Sequence, residues 1–257
     1  MTPRIYLTGS IAIEHGDCLV PERSFPGRQG RIAFAFLVAH RHRTIQRADL
    51  AGAIWSDSDA GQGDTALDAI ISKLRGVLKT AGFSPDQASI VAASGTVALS
   101  LPAHAWVDLE VAANALDEAE GALRRGDMAS AWSQANVAVT IGRRSFLADA
   151  EAPWIEARRS VQRATLVRGL QCLATVSPQI GDPLLSVQYA GEMVELEPFR
   201  ETAYQLLMKA HAATGDRAEA LRVFARCREL LRDELGVSPS PQTEAVYLEI
   251  LRATQAR

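Results

Sequence analysis

The sequence predicts a mainly α-helical protein in two parts. An N-terminal winged helix-turn-helix, with a small β-sheet and a wing hairpin, precedes an all-α array of tetratricopeptide-like helical repeats. Three observations predict this. The first hundred residues mix short β-like runs with helical segments, whereas the remainder is helical almost throughout. Gly181-Asp182 and Gly215-Asp216 stand 34 residues apart, the period of the tetratricopeptide helix pair. The chain has 257 residues and is 47% hydrophobic, enough for one large core or two of ordinary size.

Ile5-Tyr6-Leu7, Ile11-Ala12-Ile13 and Cys18-Leu19-Val20 read as strands, with turns at Gly9-Ser10 and His15-Gly16-Asp17. Three helices follow: 29–39, rich in Ala, Phe and Leu; 47–55, short; and 64–80, amphipathic. In the third, Leu67, Ile71, Leu74 and Leu78 share one stripe at about 100° per residue and form the expected core face. Thr65, Asp68, Ala69, Ser72, Lys73, Gly76 and Lys79 fall on the opposite stripe, with Arg75 to one flank. Residues 90–93 and 96–99, joined by Ser94-Gly95, read as a closing hairpin. Pro102-Ala103-His104-Ala105 is the expected boundary, placing the domains at 1–101 and 106–254.

Beyond it, Gly126-Asp127 opens an Ala-rich helix over 129–141. Each Gly-Asp is expected to stop one helix, with Gly at C′, and to start the next, with Asp as N-cap. Trp132, Trp154, Tyr189, Phe199, Tyr204 and Phe224 are spaced to stitch antiparallel helices, while Ala135, Ala190 and Gly191 allow close approach. Arg200, Tyr204 and Lys209 are expected along a concave groove that would take a peptide, an effector, a partner helix or a second protomer.

Composition excludes several classes. The net charge of −3 is split between residues 1–101, with 10 basic and 9 acidic side chains, and 102–257, with 17 and 21. Neither half is the basic block that would by itself announce nucleic acid. Cys18, Cys172 and Cys227 are odd in number and scattered, which fits a reduced cytoplasm and argues against disulfides or zinc. No apolar run approaches roughly 18 residues, and Met1-Thr2-Pro3 leads straight into a strand, so no membrane span or signal peptide is expected.

No enzyme is expected either, for want of a Walker A, G-x-S-x-G or H-E-x-x-H motif, and no cofactor or metal. His40 and His42 lack a neighbouring carboxylate or Cys to complete a metal site. Asp57, Asp59 and Asp68 imitate a calcium loop, but Gln62 stands where such a loop requires Gly.

Several segments carry a family resemblance. Gln29-Gly30-Arg31-Ile32-Ala33, the stretch from Ala48 to Trp55, and the stretch from Thr65 to Arg75 are similar to the OmpR-type DNA-binding domain. Asp108-Leu109, Glu151-Ala152-Pro153-Trp154, the run from Gly215 to Leu221, and Glu234-Leu235-Gly236-Val237-Ser238-Pro239 resemble the bacterial transcriptional activator domain. The pair in this order resembles the SARP class of antibiotic-pathway activators.

The resemblance implies that helix 64–80 enters the major groove of double-stranded DNA, the hairpin touches the adjacent minor groove or backbone, and the loop 56–64 faces RNA polymerase through Asp57, Asp59 and Gln62. On the groove face, Lys73 and Lys79 suit phosphate contact, and Lys73 base contact as well. Thr65 and Ser72 would hydrogen-bond either, Ala69 would touch a thymine methyl, and Asp68 would accept from a cytosine amino group. Arg75 would reach a phosphate from the flank. Arg28, Arg31, Arg41, Arg43 and Arg47, in a stretch without a single acid, would straddle the DNA backbone.

A homodimer and a protein partner or effector on the repeats complete the expected partners. A second reading stands beside this one. There is no Lys or Arg from Asp86 to Trp106, and a winged helix with degraded DNA contacts would act through its repeats alone, as an interaction or effector-sensing module.

Overall fold

The three N-terminal apolar runs pair as a sheet. In the computed structural model, which describes residues 2–55 and 64–253, β1 (Arg4–Tyr6) lies antiparallel to β2 (Ala12–His15), with Ile5 opposite Ile13. β2 lies antiparallel to β3 (Cys18–Val20), with Ile13 opposite Val20. A fourth strand, unforeseen in the sequence, is β7 (Trp106–Val107), which runs parallel to β1 with Val107 beside Ile5. Ile5, Ile13, Val20 and Val107 are all buried on one face, the alternation expected of a half-covered sheet.

That face packs on three helices: α1 (Gly27–Ala39), α2 (Arg47–Ile54) and α3 (Asp64–Thr80). Every residue of α1 from Ile32 to Val38 is buried, as befits a helix apolar all round. In α3 the predicted stripe is inside, widened by Ile70 and Val77. A second sheet, ordered β4-β6-β5, joins β4 (Ile45–Gln46) to the hairpin of β5 (Ser89–Ala93) and β6 (Thr96–Ser100). Its two-residue turn places both Ser94 (φ 51°) and Gly95 (φ 75°) in the left-handed region, which suits the twist of a tight hairpin.

The chain falls into two compact units, and they are not two contiguous spans. One runs to Val111 and takes in Arg144–Gln162; the other comprises Ala112–Arg143 and everything from Arg163 onward. This differs from a single cut near residues 102–105. Phe146, Leu147, Ala150 and Ile155 belong to the same core as α1. Trp154, expected among the repeats, packs edge-on against Phe36 and Phe146, and its indole N–H donates to the carbonyl of Ala53 at 3.0 Å.

Asp108, at the start of α4 (Asp108–Arg125), is tied to the end of β1. Its fully buried Oδ2 accepts from Leu7 N, Thr8 N and Thr8 Oγ1, each at 2.8 Å, and its Oδ1 accepts from Leu109 N. Burial pushes this carboxyl above the usual aspartate value, with the hydrogen bonds from Thr8, Leu7 and Leu109 pulling the other way.

The second unit is built from the rest of α4 with α5 (Met128–Gly142), the later part of α6 (Pro153–Val176), α7 (Pro183–Leu196), α8 (Glu201–Ala213), α9 (Arg217–Leu235) and α10 (Pro241–Arg252). The three Gly-Asp pairs form the same turn three times. Asp127, Asp182 and Asp216 donate their N–H groups to the carbonyls of Ala122, Ser177 and His211, each five residues back. Their side chains cap α5, α7 and α9 through Ser130 N, Leu185 N and Glu219 N.

The Glu-Leu-Gly-Val stretch is a helix stop. Gly236, left-handed at φ 68°, donates to Arg232 O and Val237 donates to Leu231 O, the Schellman pattern. Close helix approach occurs at Gly169, where a Cβ would lie 2.8 Å from Val139, rather than at Gly191, which has open space. Phe199 is half exposed instead of stitching helices.

Candidate nucleic-acid interface

α3 presents one continuous polar strip to solvent. Thr65, Asp68, Ala69, Ser72, Lys73, Arg75, Gly76 and Lys79 are all exposed, so the residues placed on one stripe by periodicity do share a surface. The strip stays in place because six apolar residues on the other side are buried in the first unit's core. Lys73 and Lys79 have no carboxylate partner among the described residues. Arg75 is only half available: its Nε donates to the carbonyl of Ile90 at 2.9 Å, fastening α3 to the first strand of the hairpin. Between them lies a mostly apolar cleft of about 480 Å³, floored by Leu78, Phe83 and Ile90.

The acid within the strip, Asp68, is not isolated. Arg47, the first residue of α2, places Nη1 2.9 Å from Asp68 Oδ1 and Nη2 3.3 Å from Asp64 Oδ1. The hydrogen bond to Asp68 is the chief cause that holds the Arg47 guanidinium charged to still higher pH than usual, with desolvation working against it. The backbone N–H of the same residue donates to Gly95 O at the hairpin tip, 2.9 Å away. One residue therefore ties together the start of α2, the start of α3 and the wing.

The rest of the basic cluster splits in two. Arg31 contacts Glu22, with Nε 3.4 Å from Oε1, and hydrogen-bonds Asp149. Arg41 grips Glu110 with two parallel bonds of 2.8 and 2.6 Å, and its side chain is only 7% exposed. These two arginines brace the fold. Arg28 and Arg43 stand exposed, without a carboxylate partner among the described residues. The contact roles expected of Arg31, Arg41 and Arg47 are thus corrected: Arg31 and Arg41 are spent on structure, while Arg47 is paired with Asp64 and with Asp68, whose side chain stays exposed. Local sequence concealed this, because the neutralising acids Glu22, Asp64, Asp68, Glu110 and Asp149 all lie outside the acid-free stretch.

The hairpin is polar and uncharged at its tip. Val91 is 55% exposed beside Ala93, Ser94 and Gly95. Asp57, Asp59 and Gln62, expected to face polymerase, lie outside the described residues. The expected groove trio of the second unit is dispersed. Tyr204 is buried, Arg200 donates to Thr202, and Lys209 lines a cleft of about 790 Å³ with Arg217, Val246, Glu249 and Ile250. Among the described residues, no three His, Cys, Asp or Glu side chains gather as a metal site, and no helix is long and apolar enough to cross a membrane.

Residues 107–251 match the family described as the bacterial transcriptional activator domain. The chain is 29% identical over 228 residues to the regulatory protein AfsR of Streptomyces coelicolor, an overlap of 89% of this chain and 22% of AfsR. It is 24% identical over 225 residues to the transcriptional regulatory protein MoaR1 of Mycobacterium tuberculosis, covering 86% of this chain and 71% of MoaR1. The chain therefore spans less than a quarter of the length of AfsR. Among solved structures, Mycobacterium tuberculosis EmbR, in complex with a low-affinity phosphopeptide, matches with a TM-score of 0.84 at 22% identity over 98% of this chain and 65% of that one, a likeness of fold.

Proposed function

The chain belongs to the bacterial transcriptional activator domain family, and from that premise we propose that it is a DNA-binding transcriptional regulator, an activator that docks α3 in the major groove and recruits RNA polymerase. The observation that carries the reading is the exposed strip of α3, flanked by a three-stranded wing and fixed to it through Arg47 and Arg75. A helix of this length, anchored on its apolar side and free on the other, is the element a major groove admits.

Phosphate contact falls to Lys73, Lys79, Arg28 and Arg43, which are exposed and have no carboxylate partner among the described residues. Ser72 and Thr65 supply hydrogen bonds, and Ala69 supplies a methyl contact. The segment between α2 and α3, with Asp57, Asp59 and Gln62, is the part that meets polymerase in this reading. The repeats take a protein partner, an effector or a second copy, with the cleft beside Lys209 and Arg217 as the place for it.

The test is a titration of purified protein against a selected operator, followed by fluorescence anisotropy. Lys73→Ala weakens the complex by about 1–3 kcal/mol if the ammonium reads a base, and relaxes preference at one position. Equal binding by wild type and Lys73→Glu contradicts this placement of α3. The bare wing favours the second reading, in which the repeats act alone; protein that selects no DNA but captures a partner through the second unit would establish that reading instead.

A further inference from the structure

The one acid in the middle of the exposed strip is the residue the groove reading explains least. A carboxylate facing phosphates is repelled, so an unpaired Asp68 would weaken every complex alike. It is not unpaired. Arg47 contacts one of its oxygens, Oδ1, at 2.9 Å, and the Asp68 side chain remains 63% exposed, with Oδ2 left without an ion-pair partner among the described residues. The arginine itself is only 19% exposed and is anchored at its backbone to Gly95, so the countercharge is held in place rather than sampled. Arg47 offsets the charge of Asp68 at the shorter distance while also contacting the more exposed Asp64, and Asp68 still offers a hydrogen-bond acceptor on the strip, beside Ala69 and one turn before Ser72.

An acceptor with no donor of its own discriminates sharply among base edges. In the major groove cytosine shows an amino donor; guanine shows only acceptors; thymine shows an acceptor and a methyl; and adenine pairs its amino donor with an adjacent acceptor that a carboxylate leaves unsatisfied. We propose, resting on the DNA-binding reading above, that Asp68 is a specificity-determining residue that selects a cytosine in the operator, and that Arg47 is its positioning residue, reducing the charge penalty and fixing the carboxylate's direction.

The assignment predicts a change of identity and not merely a loss. Asp68→Asn exchanges an acceptor for an acceptor and a donor, the combination that matches adenine. The experiment selects operators from a randomised duplex library with wild type, Asp68→Asn, Arg47→Ala and the double variant, all as the full chain. Wild type enriches a motif with one position at which cytosine is preferred by about tenfold, and Asp68→Asn shifts that position alone to adenine. Arg47→Ala weakens binding more when Asp68 is intact than when it is combined with Asp68→Asn, because the intact residue adds a second unmasked carboxylate to that of Asp64. A purely structural arginine would cost both the same. If Asp68→Asn keeps the wild-type preference at every position, the assignment is overturned while the DNA-binding reading stands. A wild type that enriches no motif overturns both.

Discussion

Among single residues, charge partners decide which cations are free to act. Arg31 and Arg43 stand in the same acid-free stretch and look equivalent in sequence, but Arg31 is bound to Glu22 and Asp149 while Arg43 is exposed and unpaired among the described residues. Arg43→Ala is therefore expected to lower affinity for all sequences alike and to flatten the salt dependence by about one unit of slope, with melting unchanged. Arg31→Ala is expected to do the reverse: lower melting and an unchanged salt slope, read by anisotropy and thermal unfolding side by side. Equal effects on the slope would mean that the ion pairs of Arg31 open on DNA. Asp108 is the counterpart in the core. Its removal strands three buried donors at Leu7 and Thr8, and Asp108→Ala is expected to cost about 3 kcal/mol or more.

Among the elements, the sequence was legible wherever periodicity and punctuation agreed. α3 begins and ends as expected, its buried face is the predicted one, and the Ser94-Gly95 hairpin closes in register. The Gly-Asp turns are legible for the same reason: a left-handed residue and an N-cap are local demands met by local chemistry. What was not legible depends on distant partners. Two residues at 106–107 carry no strand signal of their own and form β7 only because β1 lies alongside. Likewise Trp154, Asp149 and Glu110 reveal their roles only once Ala53, Arg31 and Arg41 are beside them.

Glu201 marks another such place, at the start of α8. Burial would raise its carboxyl, but bonds from Thr243 Oγ1 and from Ser240 N and Oγ outweigh it and hold the group below the ordinary glutamate value of 4.5. A carboxyl depressed in the fold stabilises it above the unfolded value and loses that effect as pH falls through the folded one. Glu201→Gln is expected to melt lower than wild type at neutral pH and to approach it as the pH falls below the ordinary glutamate value of 4.5. A constant difference across pH would place the effect elsewhere.

Over the whole molecule, the two units interleave in sequence. The winged-helix unit requires β7, Asp108 and the returning segment Arg144–Gln162, which lie within the span of the activator-domain family or at its edge. A fragment of residues 1–101 lacks Phe146, Leu147, Ala150 and Ile155 from its core and the indole that caps Ala53. It is expected to be poorly folded, with broad amide signals and no cooperative melt, because several large buried side chains at roughly 2–5 kcal/mol each exceed the stability of a small domain. A sharp melt for that fragment would show that the sheet and α1–α3 suffice. Loss of DNA binding on truncation is therefore no sign that the repeats contact DNA.

All of this turns on whether the exposed strip of α3 reads a specific DNA site. Selection from genomic fragments with the purified chain, followed by anisotropy on the enriched fragment at about 50 and 200 mM salt, decides it. A recurring motif bound with a steep salt slope, lost in Lys73→Glu, is the expected result. Weak binding without enrichment, indifferent to Lys73, would contradict it.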